Sequence, residues 1–361
     1  MSNFMPLLRV VKRQEPLGWG SCLVLIAAIC LSLLLSGIIL FIGGTSPIEG
    51  LVVLFKGAFG NRYALEDAII KATPIFLCSL GVALAFKLQV WNIGAEGQFA
   101  LGAVGATWVA LSLPEAPSYI VLPLMVVMAA AAGGLWGFIP AFLRQKLKTN
   151  EIIVTLMMNY IAILILDYLV YGIWKDPASY GFPMTAEFSE AAIVGKIGST
   201  NYSWGLAHCL VLGLIFWVFL KYSRLGYEIK ASGDNVRAAK YAGIPYDRLV
   251  MLVMVLSGAL AAWAGFLEAS STINRLQPSI MAGYGYTAIV VAWLARLNPF
   301  YIGVASFLLA ALRVGVEGLQ LDLQVPAAFG GIIEGLILLT VLAGGLFTSY
   351  RIVVARKAHE H

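Results

Sequence analysis

The sequence predicts an all-α, polytopic membrane protein with about ten transmembrane helices. Three observations carry that expectation. Of 361 residues, 60% are hydrophobic and only 12% charged, which is too apolar for a water-soluble domain. Apolar runs approaching the roughly 20 residues needed to cross a bilayer recur along almost the whole chain. The lysines and arginines fall unevenly on alternate connections.

The first run, residues 21–43, follows a segment 1–20 that carries Arg9, Lys12 and Arg13. It is long for a signal-peptide core and shows no small-residue cleavage site, so it reads as an uncleaved anchor with its basic end in the cytoplasm. Further spans are expected at 68–87, 99–113, 120–142 and 151–174, then at 203–221, 249–272, 283–296, 299–313 and 325–347. The spans at 99–113, 283–296 and 299–313 are short for a full crossing, which predicts broken helices or displaced boundaries there. Segments 44–67 and 175–202 mix Gly, Pro, Ser and acidic residues and read as outer loops. The domain map is therefore a cytoplasmic segment 1–20, a transmembrane domain 21–348 and a cytoplasmic tail 349–361. With this map 17 of the 24 Lys and Arg residues lie on the side of both termini. Cys22, Cys30, Cys78 and Cys209 all fall in apolar runs without metal or disulfide spacing, as expected of small core residues.

The single long inner connection, 222–248, reads YSRLGYEIKASGDNVRAAKYAGIPYDR. Asp234 or Asn235 is placed to cap a short helix over Val236–Ala242, which Gly243 ends and Pro245 keeps from resuming. Ala238, Ala239 and Ala242 make part of its surface small, with Arg237 and Lys240 beside them. Two readings fit: a helix that docks into a groove on another protein, or an amphipathic connector on the anionic inner leaflet.

Between the second and third runs stands WNIGAEGQ, Trp91 to Gln98. Gly94 and Gly97 permit backbone shapes other residues resist, and a break in helical hydrogen bonding inside a membrane requires protein or water to satisfy the freed groups. Glu96 is costly against acyl chains, which places it in a bundle interior with Asn92 and Gln98 as neutral donors and acceptors. Such a set suits a polar, uncharged solute. The competing reading is a cytoplasmic turn with Trp91 at the interface and Glu96 solvated.

Asn159, Asp167, His208, Glu268 and Glu334 also lie within apolar runs and are pathway candidates on that ground. Glu334 is the deepest charge, Asp167 and Glu268 sit toward helix ends, and His208 reads as a polar packing residue. Gly133 with Gly137, and Ala261 with Gly265, are spaced for close helix packing. Trp136, Trp263, Trp293 and Tyr284 are either stacking surfaces for a ring-bearing solute or core and interfacial aromatics.

Several activities are excluded. The only Gly-Lys pair, Gly195 and Lys196, is followed by Ile197, so the chain has no phosphate-binding loop and any ATP-derived energy comes from another subunit. HExxH is absent, and the terminal His359, Glu360 and His361 make no metal site without other ligands. No nucleophile motif with a basic partner is present.

Four stretches carry a resemblance: WNIGAEGQFALGA from Trp91, NEIIVTLMMNYIA from Asn150, ASGDNVRAAKYAGI from Ala231 and GYGYTAIVVAWLARLNP from Gly283. Together, over roughly residues 70–347, they resemble the permease subunits of bacterial ABC importers, in particular the nucleoside-type branch of the group that includes ribose and branched-chain amino-acid permeases. The resemblance implies a type II importer-like fold of about ten helices in the bacterial inner membrane. It implies a second permease subunit, identical or related, an extracytoplasmic solute-binding protein and a cytoplasmic ATPase that holds the ATP, with no cofactor on this chain. It further implies that the loop 222–248 carries the coupling helix, with Gly233, Asn235, Ala238, Ala239 and Gly243 at the ATPase contact. Asn92, Gly94, Glu96, Gly97 and Gln98 then form a broken-helix element beside the translocation path, with Asn159 and Glu334 as further path candidates. The expected function is ATP-driven import of nucleosides or related polar solutes by a subunit that is not itself an enzyme. The alternatives are a ribose-type sugar permease and an ion-coupled transporter in which Glu96 and Glu334 are the coupling carboxylates.

Overall fold

A computed structural model describes residues 7–12 and 19–355. The rest of the segment 1–20 and the tail from residue 356, with His359, Glu360 and His361, lie outside the described residues. In chain order the elements are β1 (Leu7–Lys12), α1 (Trp19–Ile42), α2 (Pro47–Phe59), α3 (Arg62–Lys87), α4 (Ala95–Ser112), α5 (Ser118–Leu147) and α6 (Glu151–Tyr168). Then follow α7 (Gly205–Tyr222), α8 (Arg224–Asp234), α9 (Val236–Tyr241), α10 (Tyr246–Leu267), α11 (Tyr284–Leu294), α12 (Pro299–Leu323), α13 (Ala327–Ser349) and β2 (Tyr350–Ala355). The chain divides into two compact units, residues 61–311 and residues 1–60 with 312–361.

Every one of the ten expected runs is helical, and among the described residues seven helices are long and apolar enough to cross a membrane unaided. The chain is a multi-pass, helical membrane protein. The structure corrects the boundaries in four places. Residues 47–59, expected in an outer loop, form α2, which turns back from α1 at 118°. Pro47 at its first position and Glu49 in its first turn favour initiation, and Gly50, Leu54 and Ala58 supply a buried stripe four residues apart. The short span at 299–313 continues to Leu323. A hydropathy scan stops at Arg313, but its Nε donates to Glu334 Oε1 at 2.9 Å, so the charge is neutralised by a residue the scan counts elsewhere. α4 begins at Ala95 and takes Glu96, Gly97 and Gln98 into its first turn. β1 and β2, both rich in β-branched residues, pair antiparallel from Leu7↔Ala355 to Lys12↔Tyr350, a ribbon that the all-α expectation lacked.

Within residues 61–311, α4, α5 and α10 form the tightest contact, and small residues make it. A Cβ on Gly133 would lie 2.6 Å from the Gly258 carbonyl oxygen, and one on Gly105 would lie 2.8 Å from that of Met128. Gly137 and Gly265 are equally closed, by the carbonyls of Met254 and Phe99. The small pairs expected from spacing thus let backbones touch, as helix packing without a hydrophobic driving force requires. Phe99, Ala100, Ala103 and Ala106 on α4 are wholly buried. α6 and α10 each end in a π-helical turn, Leu169–Ile173 and Glu268–Ile273. Cys78 and Cys209 are buried and free, and Cys30 is exposed and free.

Candidate functional site

The segment between α3 and α4 folds back into the bundle. α3 closes with Gln89 in the left-handed region at φ 55°, and the Leu88 and Val90 N–H groups return to the Ala85 carbonyl at 3.1 and 3.0 Å. Asn92 Nδ2 then donates to Ser257 Oγ on α10 at 2.8 Å, and Asn159 Oδ1 on α6 accepts from Gly97 N at 2.9 Å. Asn159 stands eight residues into α6 and Ser257 eleven into α10, about 12 and 16 Å from those helix starts at 1.5 Å per residue. The two starts and the end of α5 share one face of the unit, because three residues join α5 to α6 and Gln145 Nε2 donates to the Asp247 carbonyl. Residues 92–98 therefore lie deep inside the bundle, and the reading of this motif as a solvated turn is wrong.

The polar side chains there are almost fully committed to one another. Asn92 and Gln98 pair through reciprocal amide bonds, Asn92 Nδ2 to Gln98 Oε1 at 2.9 Å and Gln98 Nε2 to Asn92 Oδ1 at 3.2 Å. Asn92 Oδ1 also accepts from Gly94 N at 3.0 Å. Asn159 Nδ2 donates to the Ile93 carbonyl at 2.9 Å and to Tyr286 Oη at 3.2 Å. Both asparagines are 0% exposed, so these bonds meet the need that burial creates.

Glu96 ties the segment to α11. Its carboxylate accepts from Gly283 N at 2.9 Å and from Gly285 N at 2.6 Å, while Glu96 itself sits in the first turn of α4. Two helix N-termini, each with unpaired N–H groups and a positive dipole end, thus meet at one buried anion. Glycine is required on the α11 side. Gly283 adopts φ 79°, and a Cβ on Gly285 would collide with the Glu96 backbone. From this junction α11 runs about 16 Å back to the end of α3, where Trp293 packs on Trp91 and Phe86 at 5.6 and 5.8 Å between ring centroids. α4 and α11 are half-helices that begin in the interior, the pattern by which transporters build mid-membrane sites.

Sequence reasoning missed Ser257 and Thr155, whose Oγ1 accepts from Ile93 N at 3.3 Å, and it singled out the stretch from Gly283 without its contact to Glu96. Hydroxyls inside apolar helices carry no distinct signal, but the GYGY run was a visible mark of a helix start that only glycine permits. Glu334 belongs to the unit of residues 1–60 and 312–361, where it pairs with Arg313.

In the connection after α7 the short helix read after Asn235 forms as α9, and α8 precedes it where no helix was expected. Asn235 caps α9, its Oδ1 accepting from Arg237 N at 3.0 Å and Ala238 N at 3.1 Å. Gly243, at φ 80°, closes the end, where Ile244 N reaches back to the Ala239 carbonyl at 3.0 Å. Of the five residues singled out on this segment, Asn235, Ala238 and Gly243 are exposed. Ala239 is buried at 3% exposure, and Gly233 is pressed against the Lys87 carbonyl at the end of α3. Tyr241, which sequence reasoning passed over, is 93% exposed.

The family described as branched-chain amino acid transport system, permease component, matches residues 64–342. The chain belongs to this family. Among its relatives, the guanosine ABC transporter permease protein NupP of Bacillus subtilis is 34% identical over 326 residues, spanning 88% of this chain and 92% of that protein. The glucose ABC transporter permease protein TsgB13 of Haloferax volcanii is 32% identical, spanning 90% and 88%. The nucleoside ABC transporter permease protein NupB of Lactococcus lactis is 30% identical, spanning 83% and 85%. The permease is a transport subunit and not an enzyme.

Proposed function

We propose that this permease is the membrane-spanning subunit of an ATP-driven importer for nucleosides or a related polar solute such as a simple sugar. The observation that carries the reading is the set of relatives named for guanosine, nucleoside and glucose transport, each aligned over at least 83% of this chain. The subunit lies in the cytoplasmic membrane with both termini inside. It pairs with a second permease subunit, receives solute from an extracytoplasmic binding protein and is driven by a separate ATPase that binds the ATP.

The path borders the junction of α4 and α11. Tyr286 and Trp293 on α11 are 39% and 46% exposed, and the irregular stretch just before α11 exposes Ala282. Non-helical backbone at membrane depth is stable only against protein or water, which favours an aqueous path or the second subunit against this face over lipid. Asn92, Gly94, Glu96, Gly97, Gln98 and Asn159 shape the wall of that path by holding its two half-helices. The ATPase docks on the exposed side of α9, at Asn235, Ala238, Tyr241 and Gly243. Ala239 and Gly233 seat that helix against its own bundle.

The test is uptake of radiolabelled guanosine, adenosine and glucose in cells expressing the complete importer. One arm replaces the ATPase's phosphate-loop lysine and another carries Ala238→Arg in the permease. Uptake of at least one solute that is lost in both arms, with the permease still in the membrane, is the expected result. Uptake that persists without ATP hydrolysis and follows the proton gradient would overturn the proposal.

A further inference from the structure

At the far end of α10 from the α5–α6 junction lies a cavity of about 230 Å³, separate from the Glu96 cluster. Its polar lining includes Thr73, Lys196, Ser203, Glu268, Ser271 and Asn274. Glu268 and Ser271 line it from the π-helical turn Glu268–Ile273, and such turns recur at functional sites. Glu268 is buried at 6% exposure. The bonds it receives from Thr272 Oγ1 and Tyr284 Oη are long, 3.3 and 3.4 Å. Asn274 occupies the left-handed region at φ 59°, a conformation uncommon outside glycine, and its Oδ1 is shielded from solvent without a hydrogen-bond partner among the described residues.

The cavity is preformed. The loop that supplies Lys196 and Ser203 is a small hairpin bridged at those two residues. It is anchored by Asn201 Nδ2 on Glu66 Oε2 at 2.7 Å. Nearby, Val194 N binds the Ser270 carbonyl at 3.1 Å and Phe188 N binds the Asn274 carbonyl at 2.9 Å. A preformed site binds without an ordering cost.

The chemistry of the lining selects the ligand. One carboxylate and one ammonium leave no net charge to attract an ion. Hydroxyls that donate and accept, an acceptor-only carboxylate and an amide are the groups that answer adjacent sugar hydroxyls, while Leu206 and Leu267 offer an apolar face. The volume falls below the roughly 300–1,000 Å³ of pockets for drug-sized ligands, which fits a single ring.

We infer that this cavity binds the vicinal hydroxyls of a sugar ring, free or as the pentose of a nucleoside. The inference rests on the importer reading and deepens it: the sugar half is recognised here, at the end proposed to face the binding protein. Glu268, through its bond to Tyr284, joins the occupied wall to the first residue of α11.

The experiment is equilibrium dialysis of the purified full chain in lipid nanodiscs against labelled adenosine and labelled ribose, with 2′,3′-dideoxyadenosine and alanine as competitors. Saturable binding is expected for adenosine or ribose. Competition by the dideoxy compound should be at least about tenfold weaker, the loss of ~1.4 kcal/mol. Glu268→Gln and Asn274→Ala should each weaken binding by a similar factor. If Glu268→Gln fails to assemble, Ser271→Ala with Asn274→Ala carries the test. Absence of saturable binding, indifference to the missing hydroxyls or to the cavity substitutions, or displacement by alanine would each overturn the inference. ATP-dependent uptake alongside any of those results removes the cavity site and leaves the importer reading intact. Binding that follows the expected pattern in a protein whose uptake ignores the ATPase removes the importer reading alone.

Discussion

Replacing Glu96 removes the anion that holds two helix starts together, and the cost follows from the structure. Its carboxylate takes two backbone N–H bonds, at 2.9 and 2.6 Å, from Gly283 and Gly285, and the residue is 2% exposed. A hydrogen bond to a charged group contributes about 1.5–3 kcal/mol, so Glu96→Ala loses roughly 3–6 kcal/mol. At roughly 2 °C per kcal/mol for a chain of this size, the unfolding midpoint falls by about 6–12 °C. Glu96→Gln keeps one acceptor oxygen, now neutral and contributing about 0.5–1.5 kcal/mol, and turns an NH2 donor toward the second N–H, so it should recover only that part of the alanine loss. Cys78 and Cys209, free and buried, provide the readout: a thiol-reactive dye added during a temperature ramp, in a Cys22→Ser/Cys30→Ser background. An alanine variant that unfolds within about 1 °C of its parent, or a glutamine variant worse than alanine, would refute the assignment of Glu96 as the clamp.

Arg313→Leu, made without Glu334→Leu, strands the Glu334 carboxylate, 18% exposed in the pair, and should cost about 3–5 kcal/mol. The double substitution should recover most of it, read as permease recovered from membranes. Gly97→Ala puts a methyl group 2.9 Å from Asn159 Oδ1 and 3.0 Å from its Cα, and the overpacking should cost about 1–3 kcal/mol in the same thermal assay. Ala238→Arg, on the exposed side of α9, should abolish ATPase-dependent uptake at unchanged membrane level. Ala239→Arg, at 3% exposure, should instead reduce the amount of folded permease. Asn235→Ala removes the α9 cap at a cost of about 1 kcal/mol, and uptake should fall while the permease still reaches the membrane.

Much of the fold was legible because lipid simplifies the reading: a span must be apolar and about 20 residues long, and ten such stretches became ten helices. The failures fall where a residue's environment is set by a partner distant in sequence. Arg313 ended a span on paper because Glu334 is 21 residues away, and α2 read as a loop because its Pro, Glu and Gly outweighed a stripe of only Gly50, Leu54 and Ala58. At the candidate site, the polar motif at 91–98 and the capped helix after Asn235 were both visible. That Glu96 meets α11 was not, since Gly283 lies 187 residues away and contributes only backbone. The burial of Ala239 was equally hidden, because three alanines in a short helix leave its inward side undetermined.

These contacts give the bundle a mechanical continuity. Gly233, at the last turn of α8, rests on the Lys87 carbonyl where α3 ends; the next residues fold inward to Asn92, and four residues further on Glu96 grips the start of α11. Movement of α8 and α9 therefore acts on the end of α3, and the short segment 88–94 has few ways to absorb it. Asn92 is held by Ser257 and Gln98, and Gly94 by Asn92. Displacement is passed to α11, whose Tyr286 and Trp293 are partly exposed and whose Trp293 also packs on Trp91 and Phe86 beside that same end of α3. If that chain of contacts transmits the ATPase stroke, enlarging Gly233 should separate the two activities. Gly233→Ala drives a methyl group into the Lys87 carbonyl, and ATP hydrolysis by the assembled importer should continue while uptake per ATP falls. Equal loss of hydrolysis and uptake would place the defect in docking, and transmission through α3 would be wrong.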